Sequence, residues 1–424
     1  MKKMKQTFIL LKQIGMWERM TFIKISVLFC MTIGVLAGCH NDRVYAAEQK
    51  QEEEVSDTEK TDQLEEDYYK NFYDAVDMDK ISKELNGITK EYGMGKDISF
   101  QKYYEMMLEG RIDEAIELAV YNLYSSIGEE MLANRLLLIK LVILVVIAAI
   151  FNNYSSILRF SFVGEQGFFI TYLMIAVLLM QSFMLIYNVA EEAVYCIKDI
   201  TTCMLPAFYM SLMMCTGYTT AQTINTMFLT MLALVEKLLL LVVLPGTRIY
   251  FLIVVLNQIN QTDRFSKLAG LVKQGLQFIL KAVVTGIIGL NVMKSILLPV
   301  YDNAKYNVLQ KGLSMVPGGA SLSGLSTILV GAGVLIKNSV GLAAVIVILV
   351  LGSVPLLKIF CFYIVYKVIL ALVQPITDGR ILNGIQGAVD STGVLLRATA
   401  TSVILFVLSI AIVLLTTNVR LYTG

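Results

Sequence analysis

Nine apolar stretches, at about 136–151, 168–190, 204–218, 224–244, 249–261, 276–298, 326–351, 353–374 and 399–419, occupy most of the chain after residue 135. A hydrocarbon layer about 30 Å thick needs roughly 20 apolar residues to cross it as a helix. Lipid offers no partner to backbone N–H and C=O groups, so such segments must satisfy them internally, as helices do. The stretches at 136, 204 and 249 are short for a span and read as re-entrant, tilted or continuous with a neighbour. The expectation is an all-α, polytopic helical membrane protein of seven to nine spans. Composition agrees, since 56% of the 424 residues are hydrophobic and only 16% are charged.

A formal net charge of +1 conceals three opposed regions. Residues 1–47 carry 7 basic and 2 acidic side chains, residues 48–135 carry 10 and 23, and residues 136–424 carry 18 and 9. Lysines 2, 3, 5, 12 and 24 with Arg19 precede the apolar run Ile25 to Ala37. That order is the layout of a secretory signal, so 1–46 is read as a signal sequence or N-terminal anchor. Two cleavage sites compete. Val44-Tyr45-Ala46 obeys the small-x-small rule, and Leu36-Ala37-Gly38-Cys39 resembles a lipoprotein signal, which would make Cys39 a lipidation site.

Residues 47–135 then form an acidic extracytoplasmic segment. Its first twenty residues are too polar to bury a core and read as a solvated linker. From Phe100 onward, Tyr103, Tyr104, Met107, Leu108, Ile112, Ala115 and Ala119 recur at helical spacing, with Gly110 as a divider. A helical cap on the membrane domain and a docking surface for another envelope protein are both compatible with this face. Residues 136–424 are the multi-span membrane domain. Nine spans with the head outside would place the 262–274 loop, with Arg264, Lys267 and Lys273 against Asp263, in the cytoplasm together with Arg420, in keeping with the positive-inside rule. The loops at 191–203 and 375–398 would then lie outside.

Enzymatic chemistry finds little to work with. The single histidine, His40, adjoins the leader, which removes His-based triads and zinc motifs from the membrane region. The six cysteines form no C-x-x-C pair, and Gly95-Lys96 is followed by Asp97, so no phosphate loop is present. No catalytic, metal or cofactor site is expected, and no nucleic-acid partner.

Ionisable and amide groups inside apolar runs are the candidate functional positions, because each costs several kcal/mol in hydrocarbon unless it is paired, wet or snorkelling. Glu236 and Lys237 lie about 100° apart on a helix, so each needs a partner elsewhere. Lys337-Asn338 falls mid-stretch and reads as a cavity lining, an inter-helix contact or a helix break. Lys358 and Lys367 lie near stretch ends, where snorkelling serves. The Pro317-Gly318-Gly319 turn reads as a re-entrant loop or an ordinary external one, and Pro206, Pro355 and Pro375 as helix ends or kinks.

The order of several of these segments resembles the stage III sporulation protein AE family of endospore-forming bacteria. The resemblance rests on Pro317-Gly318-Gly319-Ala320, on Leu335 to Gly341 with Lys337 and Asn338, on Val354-Pro355-Leu356-Leu357-Lys358, and on Leu372 to Asp378 with Gln374, Pro375 and Arg380. A weaker match begins at Leu205-Pro206. Specificity comes from their order over a long stretch. The resemblance implies candidate structural or pore-lining roles for Pro317, Gly318, Gly319, Lys337, Asn338, Pro355, Lys358, Gln374, Pro375 and Asp378. It also implies a multi-pass protein of the mother-cell membrane around the forespore, within a channel or secretion-like complex required after engulfment. Its partners would be the other membrane proteins of the stage III sporulation operon, a forespore protein, membrane lipid and a separate ATPase subunit. A stand-alone secondary transporter using Lys337, Asn338 and Glu236 is the alternative from another class; no internal repeat supports it.

Overall fold

The computed structural model describes residues 78–92 and 99–121, the isolated residues Ile139, Ile143, Val146 and Ile147, and residues 161–418 apart from 217, 260–263, 314–318 and 376–378. Side chains are described within these limits except at 78–79, 161–168, 214–220, 290–332, 412 and 415–418. Helix accounts for 95% of the described residues and none is in a strand.

The chain before the bundle folds into α1 (Met78–Glu91), α2 (Phe100–Leu108) and α3 (helical residues 112–121). Ser99 caps α2 by accepting the Lys102 N–H at 3.3 Å, which satisfies one of the donors a helix start leaves open. Gly110 separates α2 from α3. At φ 79° it adopts a left-handed conformation that costs glycine little, and the Arg111 N–H reaches back to the Met106 carbonyl at 2.8 Å.

Six further helical segments build the bundle. They are α4 (Ser161–Thr216), α5 (Tyr218–Leu238), α6 (Leu244–Asn257), α7 (Ser266–Leu313), α8 (Gly319–Val373) and α9 (Gly379–Asn418), with a π turn, Leu239–Val243, joining α5 to α6. Pro245 follows that turn. Its missing N–H falls where the hydrogen-bond ladder has already shifted register, so the helix continues through it.

Among the described residues, five helices are long and apolar enough to cross a membrane: Phe169–Met213, Ala221–Asn257, Ser266–Gly289, Gly333–Val373 and Gly379–Ala411. The sequence predicts seven to nine. The difference arises because apolar stretches fuse in pairs, 168–190 with 204–218, 224–244 with 249–261, and 326–351 with 353–374. Residues 191–203 are helical within α4 and so form no loop, while Pro206 and Pro355 lie inside α4 and α8. Pro375 does follow the end of its helix. The stretch at 136–151 lies almost wholly outside the described residues.

These fusions make helices longer than a bilayer is thick. At 1.5 Å per residue, the 45 residues of Phe169–Met213 extend roughly 65–70 Å, against about 30 Å of hydrocarbon. Two cores are stacked along this length. The proximal core joins α1 and α2 to Cys196–Leu212 of α4, the start of α5, Ile336–Leu351 of α8 and Val403–Leu414 of α9. The distal core joins Tyr172–Val194 of α4 to the end of α5, to α6, to α7, to Ile359–Val373 of α8 and to Ile381–Leu405 of α9. Hence α4 runs antiparallel to α8, α9 antiparallel to α8, and α5 antiparallel to α4.

The connections α6–α7 and α8–α9 meet at the distal end, where the Asn383 amide donates to Gln258 Oε1 at 3.4 Å. Gln258 and Asn383, which flank these two connections, thus lie at one end of the bundle, and α9 already begins at Gly379, within the 375–398 segment expected to be a loop.

Candidate functional site

α9 packs against α4, α5, α6, α7 and α8, and small residues let it do so. A Cβ added at Gly387 would lie 2.5 Å from Val254 Cγ1 of α6, and one at Gly384 would lie 3.2 Å from the Tyr172 hydroxyl of α4. Close backbone approach of this kind holds helices together in lipid, where apolar surface alone gives no drive to associate. The Tyr172 hydroxyl spans the same contact, donating to the Val255 carbonyl at 2.7 Å.

One turn beyond Gly387 this seam holds Asp390. Its Oδ2 accepts from Lys273 Nζ of α7 at 2.6 Å and from the Tyr250 hydroxyl of α6 at 3.2 Å; its Oδ1 accepts from Gln386 Nε2 at 3.1 Å. One carboxylate thus ties three helices. Gly393 leaves room for the Tyr363 ring and the Arg397 guanidinium, and Lys367 Nζ lies 4.8 Å from the centre of that ring. Asp390 lies within electrostatic reach of both Arg397 and Lys367. Two more polar links join helices: Lys198 pairs with Glu236 at 3.3 Å between α4 and α5 near the junction of the two cores, and in the distal half the buried Tyr366 hydroxyl donates to Ser182 Oγ at 2.6 Å between α8 and α4.

This chemistry is that of helix registration. Each charge has an opposite neighbour, and each buried hydroxyl named here donates to an acceptor, as a low-dielectric matrix requires. Among the described residues no group of three or more His, Cys, Asp or Glu side chains is placed to hold a metal ion. On the head side, the Tyr92 hydroxyl donates to Asp199 Oδ2 of α4 at 2.7 Å beside an open groove of about 470 Å3 lined by Glu84, Ile88, Glu91, Asp199, Thr202 and Cys203.

The positions selected from sequence do not converge. Lys337 and Asn338 are on the proximal part of α8, where Lys337 is fully buried and Asn338 Oδ1 is enclosed with no hydrogen-bond partner. Pro355 is buried mid-helix and Lys358 half-buried one turn on, while Gln374 and Pro375 are exposed at the distal end. From Lys337 to Gln374 is about 55 Å of helix. Gly319 opens α8; Pro317, Gly318, Asp378 and Cys39 lie outside the described residues. The partner that Glu236 needs is Lys198. Asp390 escaped sequence reasoning because 375–398 was read as a loop, Lys273 was read only as a cation of the 262–274 loop, and Tyr250 was not singled out. The available signal was the Gly384-x-x-Gly387-x-x-Asp390 spacing, which puts one acid on a small-residue face.

The geometry defines a class: an all-helical protein whose described residues include five helices long and apolar enough to cross a membrane, with a small helical unit packed along them. The chain belongs to the stage III sporulation protein AE family, whose model matches residues 98–417. It is 21% identical over 349 residues to the stage III sporulation protein AE of Bacillus subtilis (strain 168), covering 82% of this chain and 88% of that protein. No solved structure matches it.

Proposed function

We propose that the chain is the membrane component of a channel or secretion-like complex that links mother cell and forespore and is required for forespore development after engulfment. Family membership over residues 98–417 is the observation that carries this reading. The partners are the other membrane proteins of the stage III sporulation operon and a forespore protein, with ATP hydrolysis supplied by a separate subunit. The site is the mother-cell membrane around the forespore, and residues 47–135 are extracytoplasmic.

The bilayer surrounds the distal half. Side chains there turn outward as lipid-facing ones do, with Leu241 72%, Phe278 71% and Leu271 68% exposed. Lys83, Glu84, Lys90 and Glu91 of α1 are exposed beside the proximal half, and such a face requires water. Arg264, Lys267 and Arg380 gather at the distal end, which makes that end cytoplasmic by the positive-inside rule. The head then lies outside while α4 starts inside, which requires one inward crossing before α4. Five described crossings follow it, giving six. Counting the fused stretches separately instead returns seven to nine, which requires α4, α5–α6 and α8 to break at their middles. Single-cysteine accessibility at Arg264 and Arg380 separates the two: both protected from an impermeant reagent outside the cell under six crossings, one exposed under nine.

Affinity purification from sporulating cells tests the assignment. Co-recovery of the operon's other membrane proteins is the expected result, and recovery of the chain alone would overturn it. Deleting the gene should arrest spores after engulfment and leave vegetative growth intact. Lipid labelling lost in Cys39→Ala would place a lipid at Cys39.

A further inference from the structure

We propose that α7 is a displaceable helix of the distal half and that the Lys273–Asp390 pair is the latch that seats it. α7 is the least enclosed of the five crossing helices: 17% of its most apolar window is buried, against 39–78% in the others. Its inward face is a single row, Ala269, Leu276, Leu280, Val283 and Ile287. Glycine placement separates it from its neighbours as well. Gly384, Gly387 and Gly393 of α9 lie against other side chains, whereas a Cβ at Gly270, Gly275, Gly286 or Gly289 of α7 would meet nothing within 4 Å. Glycines in open space loosen a helix without improving its packing.

Asp390 is arranged so that the contact can be released. With Lys273 withdrawn, its carboxylate keeps the Tyr250 hydroxyl and the Gln386 amide, and Arg397 and Lys367 remain close by. The acid therefore stays compensated in both positions of α7. Lys273 is already 32% exposed, so its long chain can carry the ammonium out of the seam toward the nearby cytoplasmic end. An equilibrium between seated and displaced states needs this property, since a latch that left a buried bare charge behind would not open.

The experiment uses the full chain in native membranes. Ala269→Cys adds a thiol to the seated face of α7, where Ala269 is 6% exposed. Labelling by a membrane-permeant maleimide is read peptide by peptide, with native Cys196, 0% exposed in the proximal core, as internal control. Releasing the latch with Lys273→Gln or Asp390→Asn should speed labelling at position 269 by roughly three- to tenfold, the range of a polar helix–helix contact in a bilayer. Cys196 should stay protected, and Lys273→Arg should label like the parent. Unchanged labelling in both released variants would overturn the latch. Faster labelling of Cys196 in parallel would also overturn it, because the pair would then support the whole fold and not the seat of one helix.

Discussion

The two halves of the bundle both have apolar cores and differ in their surfaces. In the proximal half Ile336, Val340, Ala343 and Val347 of α8 are all completely buried, enclosed by α2, α4 and α9. In the distal half the same helix turns Phe360, Ile364, Val368 and Leu372 outward. A helix that is apolar all round belongs either in lipid or in the middle of a large core, and α8 does one along each half of its length. Hydropathy measures the side chain and not what lies beyond it.

The largest expected effect removes the cover from the proximal half. Phe100 is fully buried at the start of α2, and Phe100→Ala should cost about 3–5 kcal/mol through lost apolar burial and the cavity left behind. Protease should then cut the head faster in intact membranes while distal fragments stay protected. Equal resistance to protease would show that α2 does not hold the head to the bundle.

Next comes a paired substitution that asks which half meets lipid. Phe278 of α7 is 71% exposed in the distal half, about 18 Å along the helix from Ser266, and Phe278→Arg should cost about 2.5–3.5 kcal/mol of insertion there. Met227 of α5 is 40% exposed in the proximal half, where Met227→Arg should stay within about 0.5 kcal/mol. The amount of each variant integrated into membranes reads the difference, and equal losses would erase the distinction between the halves.

How much of this was legible in the sequence depends on the kind of signal. Helix content and lipid compatibility were open to view, because hydrophobic runs at helical spacing carry both. So was Glu236's need for a distant partner, since its neighbour Lys237 points elsewhere on the helix. Which runs fuse was hidden. Pro206 and Pro355 are common helix breakers in water, but a membrane or core helix keeps its ladder around them because no solvent competes for the freed carbonyls. The charges of 191–203 read as a loop. In the fold Lys198 pairs with Glu236 and Asp199 receives Tyr92, so the helix runs on through them. Asp390 was hidden for a related reason, because its partners on α6 and α7 are 140 and 117 residues away.

Glycine packing gives a smaller test of the same contrast. Gly387→Ala drives a methyl against Val254 and should destabilise by about 1–3 kcal/mol, the usual range for overpacking. Gly275→Ala enters open space and should stabilise α7 by up to about 1 kcal/mol through helix propensity. Thermal unfolding in detergent, compared between the two, should move in opposite directions. A shared direction would mean that α7 is packed on both faces.

The smallest effect concerns the tie between head and bundle. Tyr92→Phe removes the hydrogen bond to Asp199, worth about 1 kcal/mol at most for a partly exposed pair. Its pH dependence is more informative than its size. Burial first, then the hydrogen bond to Asp199 and that carboxylate's charge, hold the Tyr92 phenol above the ordinary tyrosine range. A phenol raised in the folded state contributes its stabilisation in full below its unfolded value of about 10 and loses it as the pH climbs from there toward the folded value. Protease sensitivity of the head should therefore rise through the alkaline range in the parent chain, and the part due to this contact should vanish in Tyr92→Phe. An identical alkaline profile in the two proteins would leave the proximal half held by Phe100, Tyr103 and their apolar neighbours alone, with the Tyr92–Asp199 contact marking only where α1 comes to rest.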